Sequence, residues 1–272
     1  MNLNKLILTN NDCYKAGKTI TPKGIMVHST GANNPNLKRY VGPDDGLLGV
    51  NQYGNHWNTA KPGGRQVCVH AFIGKLKDGS IATYQTLPWN MRGWHGGGSS
   101  NNTHIGFEIC EDGLTDPAYF SAVYKEAVEL CVYLCKLYGL TEKNIICHCE
   151  GYKLGIASNH GDVMHWWPKH GKSMDSFRAE VKAALSSGTV QPPTPAAEPG
   201  AFSPYRVRVS IANLNIRKGP GTNFNTVGRY TGKGVFTIVE EANGAGASKW
   251  GLLKSYAKSR AGWISLDYAT KL

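Results

Sequence analysis

Short apolar runs bounded by turn residues recur through the first two thirds of the chain. Apolar runs of about four to eight residues between such turns are typical of buried strands. Lys77-Asp78-Gly79 separates two of these runs and indicates a hairpin turn. The pattern predicts strands over residues 24–28, 67–73, 80–84, 104–110 and 144–148.

One longer stretch has helical spacing instead. It begins at Asp116-Pro117, where the Asp can cap a helix and the Pro suits the first helical position. It ends at Gly139, a typical C-cap. A second helix is predicted over residues 174–185. These elements predict an α/β fold, a mixed β-sheet flanked by helices, with active groups at strand ends and in loops.

The pattern changes after residue 185. Residues 186–200 contain four prolines and no apolar periodicity, which predicts an extended linker over residues 186–204. Short strands separated by turn residues follow. Short strands in a segment of this size are typical of a small all-β barrel. The predicted strands cover residues 205–209, 235–239, 250–254 and 262–265. The sequence therefore predicts one domain over residues 1–185 and another over 205–272.

The charge points to an acidic partner. The net charge of +11 suits nucleic acid, anionic lipid or an anionic cell wall, and charge alone does not choose among them. Residues 186–272 contain 11 Lys/Arg and 4 Asp/Glu, which gives a net charge of +7. All seven Cys and all nine His lie before residue 186. Metal and acid–base chemistry is therefore predicted for the first domain.

Two other classes of segment are not predicted. No run approaches the roughly 18 consecutive apolar residues of a membrane helix. The apolar stretch near the N-terminus is too short for the core of a secretory signal, and no small-residue cleavage site follows it. We therefore expect synthesis in the cytoplasm. An odd number of cysteines without such a signal predicts reduced thiols, with Cys131 and Cys135 in a helical core.

Two histidines stand where predicted strands end. These are His28 and His148, and Asp162 follows His148 by 14 residues. Two imidazoles and a carboxylate would leave the fourth position of a tetrahedral zinc open, as in catalytic zinc sites. A structural role for each histidine is the alternative. Cys147 and Cys149 offer a thiolate site, although strand alternation would point both away from the side of His148.

Glu108 lies between Phe107 and Ile109 in a predicted strand. A carboxylate there is costly to bury unless it is paired, close to a metal or at the rim of the sheet. It is a candidate general base beside the zinc. A salt-bridged or rim glutamate is the alternative.

Residues 22–185 resemble type-2 N-acetylmuramoyl-L-alanine amidases, a family related to peptidoglycan recognition proteins and found in many phage endolysins. The resemblance implies zinc-dependent hydrolysis of the amide bond between N-acetylmuramic acid and L-alanine in bacterial peptidoglycan. Four motifs in family order carry it: Val27-His28-Ser29-Thr30, Gly93-Trp94-His95-Gly96-Gly97, Ile105-Gly106-Phe107-Glu108, and residues 148–162.

The resemblance also implies a role for each matching residue. In that family two histidines and a later Asp or Cys bind zinc, and these positions fall on His28, His148 and Asp162. The family's glutamate falls on Glu108, a catalytic base. A catalytic group that stabilises the oxyanion falls on His160. The interval between His148 and the third ligand is long here, so His160 in place of Asp162 as the metal ligand stays open.

Three further residues are predicted to bind substrate. Trp94 and His95 are expected to face the substrate groove, and His70 is expected to line it. A structural packing role is the alternative for each.

Residues 205–272 resemble a bacterial SH3 domain. The resemblance rests on residues 214–222, Leu-Asn-Ile-Arg-Lys-Gly-Pro-Gly-Thr, and on Gly262-Trp263-Ile264 followed by Tyr268. It implies an SH3-like barrel that binds cell-wall peptides or polymers, and the net charge of +7 suits an anionic wall polymer. Solubility is the alternative explanation of that charge.

The leading hypothesis is a zinc hydrolase that degrades the cell wall, either a bacteriophage endolysin or a bacterial autolysin. Its predicted partners are peptidoglycan and anionic wall polymers, not nucleic acid. An endolysin made without a signal peptide would reach the wall after holin-mediated release.

Two alternatives belong to other classes. The first is a non-catalytic peptidoglycan-binding protein, against which the full set of candidate ligands and Glu108 speaks. The second is a Cys/His wall peptidase, for which no cysteine opens a helix next to a strand-borne histidine in the expected order. Inhibition by a zinc chelator or by thiol alkylation would separate them.

Overall fold

The computed structural model describes residues 1–186, 204–254 and 262–272. The chain divides into two units, Met1–Pro195 and Ala196–Leu272. The predicted linker, apart from Ser186 and Pro204, lies outside the described residues. No helix among the described residues is long and apolar enough to cross a membrane.

A six-stranded sheet forms the framework of the first unit. Its strands are β1 (Leu3–Lys5), β2 (Gly24–Asn33), β3 (Ala71–Lys75), β4 (Ile81–Gln85), β5 (His104–Glu111) and β6 (Ile145–Cys147). Their spatial order is β1-β4-β3-β5-β2-β6. β3 and β4 are antiparallel, whereas the other neighbouring pairs in these described strands are parallel. The sheet is mixed, as the sequence predicts.

The helices of this unit are α1 (Asp12–Lys15), α2 (Pro117–Tyr138), α3 (His148–Lys153) and α4 (Met174–Ser186). α2 begins where the sequence predicts, because the Asp116 carboxylate accepts the backbone N–H groups of Ala118 and Tyr119. It ends at Gly139, whose φ of 65° is the left-handed conformation that glycine adopts readily.

Two strand predictions need correction, and one short strand was not predicted. The 67–73 strand is shifted, because β3 begins at Ala71 and Cys68 makes only an isolated bridge to Trp94. β6 stops at Cys147, and His148 is the first residue of α3 rather than the end of a strand. β1 has too few residues to show a periodic pattern and was not predicted.

One face of the sheet packs beneath α2 and α4 and is apolar. Alternate residues of β2 and β5 point to this face, as the two-residue period of a strand requires. The buried cluster includes Ile25, Val27, Ile73, Phe107 and Ile109 from strands, Val123, Ala127, Leu130, Phe177 and Val181 from helices, and Trp166 and Trp167.

The opposite face is covered by loop residues between β2 and β3. Tyr40 stacks on Phe72 of β3 at 5.1 Å between ring centroids, and Trp57 meets Phe72 edge-on at 5.0 Å. Leu37, Val41 and Leu48 complete this second buried cluster. Because β2 and β5 alternate, His28 and Glu108 belong to this loop-covered face.

Cys13 and Cys68 form a disulfide with a Cα–Cα distance of 6.3 Å. The prediction that all thiols are reduced is therefore wrong for this pair. α1 brings Cys13 against the segment before β3, although 55 residues separate the two cysteines in sequence. The other five cysteines are free.

A seven-stranded antiparallel sheet forms the second unit. Its strands are β7 (Tyr205–Val209), β8 (Asn215–Arg217), β9 (Thr226–Tyr230), β10 (Gly234–Gly244), β11 (Ala247–Leu253), β12 (Trp263–Ser265) and β13 (Ala269–Lys271). Their order is β13-β7-β10-β11-β12-β8-β9. A small core includes Val207, Val209, Ile216, Ile238 and Ile264. No pairing within residues 204–254 and 262–272 joins β9 to β13, so closure into a barrel stays a prediction.

Candidate metal centre

His28 lies on β2 directly beside Glu108 on β5. The two strands are parallel, and their register pairs these two residues. Side chains at paired positions of neighbouring strands project to the same face. The His28 side chain is buried there, with 2% of its surface exposed.

His148 reaches the same place from the start of α3. The preceding residue, Cys147, pairs with Val27 on β2, so β6 delivers His148 next to His28. The Glu150 carboxylate accepts the backbone N–H of Cys147 at 3.1 Å. Arg178 of α4 holds Glu150 through two hydrogen bonds of 2.9 and 3.0 Å and also donates to the carbonyl of Ile145. The junction of strand and helix that carries His148 is therefore tightly held.

Asp162 completes a cluster of three donor atoms. Its Oδ2 lies 3.1 Å from His28 Nδ1 and 3.7 Å from His148 Nδ1. The two Nδ1 atoms lie 3.1 Å apart. Three ligand atoms of His28, His148 and Asp162 lie within 4.8 Å of one another.

The surrounding hydrogen bonds assign the tautomers of both histidines. His95 Nε2 donates to the carbonyl of His104 at 3.1 Å, which leaves His95 Nδ1 to accept from His28 Nε2 at 2.9 Å. Ser158 donates its hydroxyl proton to the carbonyl of Gly96, so it accepts from His148 Nε2 at 3.2 Å. In this assignment both Nδ1 atoms present lone pairs to the carboxylate.

Three lone-pair donors that converge without a proton between them repel one another unless a cation lies there. Two imidazole nitrogens and one carboxylate oxygen match the donor preference of zinc. Burial, followed by the neighbouring His28, lowers the pKa of His148 to about 4, which keeps this imidazole neutral and able to bind a metal. The residues therefore fit a zinc ion, with three protein ligands and an open position.

Glu108 is half-buried beside this cluster. Its Oε2 atom is buried and has no hydrogen-bond partner among the described residues. Burial, followed by the negative charges of Asp162 and Glu111, raises the pKa of Glu108 well above its ordinary value. A carboxyl group with a raised pKa holds a proton more readily than an ordinary glutamate does.

Glu108 also lines a surface cavity of about 580 Å³. The cavity walls come from the end of β2 and from the loop that covers this face, and they include Thr30, Arg39, Asn55, His56, Trp57 and Arg65. Apart from Thr30, which belongs to the motif Val27-His28-Ser29-Thr30, these residues were not predicted from the sequence. They share no spacing pattern, and only the fold of the loop brings them together.

His160 lies at the exposed edge of the cluster. Its side chain is 63% exposed, and its Nδ1 is 4.0 Å from Asp162 Oδ1. Its ring stacks on that of His148 with centroids 4.6 Å apart. The three convergent donor atoms include an oxygen of Asp162 and no atom of His160.

His70 is not placed as predicted, whereas Trp94 and His95 are half-buried. His70 has no exposed surface, and its two nitrogens bond to the backbone of Gly106 and Met91, so it cannot line a groove. His95 is half-buried, and its hydrogen bond to His28 orients that imidazole. Trp94 packs against the Cys13–Cys68 cluster. Full burial makes a structural role the better interpretation for His70, while substrate contact by Trp94 and His95 stays a prediction.

A family model and several solved structures match the chain. The family model described as N-acetylmuramoyl-L-alanine amidase matches residues 18–166, more than half of the chain. No curated protein matches the chain.

Solved structures with similar folds include a hydrolase, AmiA, from Staphylococcus aureus. It shares 19% identity at a TM-score of 0.49, over 70% of this chain and 86% of that one. A mutant endolysin from Bacillus subtilis shares 24% identity at a TM-score of 0.44, over 66% of this chain and 99% of that one.

Proposed function

Because the chain belongs to the N-acetylmuramoyl-L-alanine amidase family, we propose that its first unit hydrolyses the bond between N-acetylmuramic acid and L-alanine in bacterial peptidoglycan. We assign zinc to His28, His148 and Asp162. The observation that carries the proposal is the convergence of three donor atoms within 4.8 Å beside an unpartnered buried oxygen of Glu108.

Zinc bound by these ligands would supply a Lewis acid that polarises the scissile carbonyl and lowers the pKa of water in the site. Glu108 takes a proton from the attacking water and delivers it to the leaving amine of L-alanine. Its raised pKa suits both halves of this transfer, because a carboxyl that is too acidic holds the proton too weakly to pass it on.

His160 stabilises the developing oxyanion in this proposal. Its exposed ring lies over His148 and within reach of a substrate that enters from solvent. A donor aimed at the oxyanion contributes about 100- to 1000-fold in rate.

The cavity beside Glu108 is proposed to hold the stem peptide. Arg39 and Arg65 bring positive charge to its wall, and Trp57 and His56 provide aromatic surface. This composition suits a polar peptide with acidic groups.

The second unit is proposed to be a bacterial SH3 domain over residues 205–272, joined by the linker over 186–204 to a catalytic domain over 1–185. In β7, Arg206 and Arg208 are exposed while Val207 and Val209 are buried, so the strand presents positive charge on its outer face. Such a face suits an anionic wall polymer through charge attraction.

The full chain would then act on the cell wall as a phage endolysin or a bacterial autolysin. In the endolysin case, protein made in the host cytoplasm reaches the wall after holin-mediated release.

A thiol peptidase finds no support in four of the five free cysteines. Burial raises the pKa of Cys135 and Cys147 to about 12, and it raises the pKa of Cys110 and Cys131 well above the ordinary value. A nucleophilic cysteine requires a lowered pKa.

The products of digestion test the catalytic proposal. Purified walls treated with the full chain should release new N-terminal alanine without new reducing sugar ends. Removal of zinc with a chelator should stop the release, and added zinc should restore it, whereas thiol alkylation should have no effect. New reducing ends without free alanine amine would show that a different bond is cut.

Wall binding is tested separately. Full-length Arg206→Ser/Arg208→Ser should bind purified walls less than the parent chain at low salt, with the difference lost at high salt. Equal binding of both proteins at low salt would remove β7 from the wall-binding surface.

A further inference from the structure

A buried carboxylate at the end of β5 joins two segments that carry metal ligands from distant parts of the sequence. The Glu111 side chain is 5% exposed. Its Oε1 accepts the backbone N–H of Gly31 at 3.1 Å and the Nε2–H of His165 at 2.9 Å. Gly31 follows His28 by three residues, and His165 follows Asp162 by three.

On the His28 side, Glu111 holds an irregular turn of β2. β2 and β5 pair regularly up to Ser29, and pairing resumes only at Asn33 with Glu111. The chain bulges between these points, and Gly31 has a φ of 61°, a conformation that favours glycine. Thr30 Oγ1 accepts the backbone N–H of Glu111 at 3.1 Å. Backbone and side chain of Glu111 therefore both fix the bulge that follows His28.

On the Asp162 side, Glu111 binds the turn that follows Asp162. Buried residues of the core already fix part of this turn. Val163 and Trp166 are buried, and the backbone N–H of Trp166 donates to the carbonyl of Val163 at 3.0 Å. The His165 side chain points the other way, is about one third exposed, and is tied down through Glu111.

We propose that Glu111 is a positioning residue, which holds the bulge after His28 and the turn after Asp162 at the spacing that the metal requires. The proposal rests on the zinc function proposed above. Metal affinity depends on how well the ligands are placed before binding, because any rearrangement subtracts from the binding free energy.

The chain offers a matched control for a merely structural role. Glu126 on α2 is also buried, at 8% exposed. Its Oε1 likewise accepts one backbone N–H, from Asn2 at 2.8 Å, and one side-chain donor, Thr83 Oγ1 at 2.8 Å. These bonds join α2 to Asn2, just before β1, and to β4, and neither of these two strands carries a proposed metal ligand. Glu126→Ala therefore removes the same kind of buried acceptor without touching a ligand segment.

The test measures zinc dissociation constants by chelator competition on the full chain. Glu111→Ala should weaken zinc binding about 10- to 100-fold, and His165→Ala should weaken it by a smaller factor. Glu111→Gln keeps an acceptor oxygen and should recover most of the affinity. Glu126→Ala should bind zinc as the parent chain does. The visible absorption of the cobalt-substituted protein should change in Glu111→Ala and not in Glu126→Ala.

Equal zinc affinity of the parent chain, Glu111→Ala and His165→Ala would overturn the proposal. If Glu111→Ala does not fold, His165→Ala decides alone, since its side chain is partly exposed and its loss leaves the core intact. A parent chain that binds no zinc would instead overturn the proposed function, so the two failures are distinguishable.

Discussion

The two faces of the six-stranded sheet are built from the same strands and differ in what burial does. On the helical face, Val27 and Phe107 have no exposed surface and pack beneath α2 and α4. On the loop-covered face, their chain neighbours His28 and Glu108 are brought into register beside Asp162. Burial of apolar side chains stabilises the fold on both faces, and on the second face burial also raises the pKa of Glu108.

This difference teaches that one strand can contribute both to the apolar core and to the candidate site, because its side chains alternate between the two faces. On the helical face, the indole N–H groups of Trp166 and Trp167 have no hydrogen-bond partner among the described residues, but an indole does not ionise. The loop-covered face keeps a Glu108 oxygen without a hydrogen-bond partner among the described residues, and burial raises the pKa of that carboxyl. Substitutions at neighbouring positions should therefore separate activity from stability.

The largest effect is expected from Glu108→Gln. The amide cannot take up a proton, so the rate on purified walls should fall by about 100- to 10,000-fold. Zinc binding should persist, because the three convergent ligands do not include Glu108. Wall-lysis rates and bound zinc per chain measure both outcomes. Lysis at the parent rate would remove Glu108 from the mechanism.

Phe107→Ala changes the residue next to Glu108 and should lower stability rather than activity. Its ring is fully buried, so its truncation should cost about 3–5 kcal/mol in the free energy of unfolding. The folded fraction should still bind zinc. Denaturant unfolding measures the loss of stability, and a zinc titration of the folded protein measures binding. A loss in the free energy of unfolding below about 1 kcal/mol would show that the helical face repacks.

His95→Ala tests the hydrogen bond that orients His28. Without this acceptor His28 can adopt the other tautomer, and zinc binding should weaken about 10- to 100-fold. His170→Ala is the control on the helical side, since His170 stacks on Phe120. Chelator competition should show no change for that variant. Equal affinities for both variants would contradict the tautomer assignment.

The smallest effect concerns Glu126, between α2 and the edge of the sheet. Burial raises the pKa of Glu126 above its unfolded value. Its ionisation therefore costs stability, a cost that is absent below the unfolded pKa and grows as the pH rises through the folded pKa. Glu126→Gln should be more stable than the parent chain at pH 7, and this advantage should shrink towards pH 4. Unfolding curves at both pH values measure it, and a constant difference would contradict the shift.

Periodicity alone predicted most of the framework. The bounds of α2 follow from Asp116 and Gly139, residues whose local chemistry does not depend on the rest of the fold. The strand predicted over 144–148 is one residue shorter at each end. The pattern places His148 at a strand end because the group that caps the following helix, Glu150, is held by the distant Arg178. The Cys13–Cys68 bridge joins residues that no spacing rule connects.

The sequence by itself determined which residues can do chemistry. His28, His148, Asp162 and Glu108 stand out because polar groups interrupt apolar strands or follow their ends. Only the tertiary structure decided their partners. His95 and Ser158 orient the two histidines, Glu111 ties the ligand segments together, and Arg39 and Arg65 reach the cavity wall from the covering loop. The physical reason is that these contacts join residues far apart in sequence, and the folded backbone alone sets their distances.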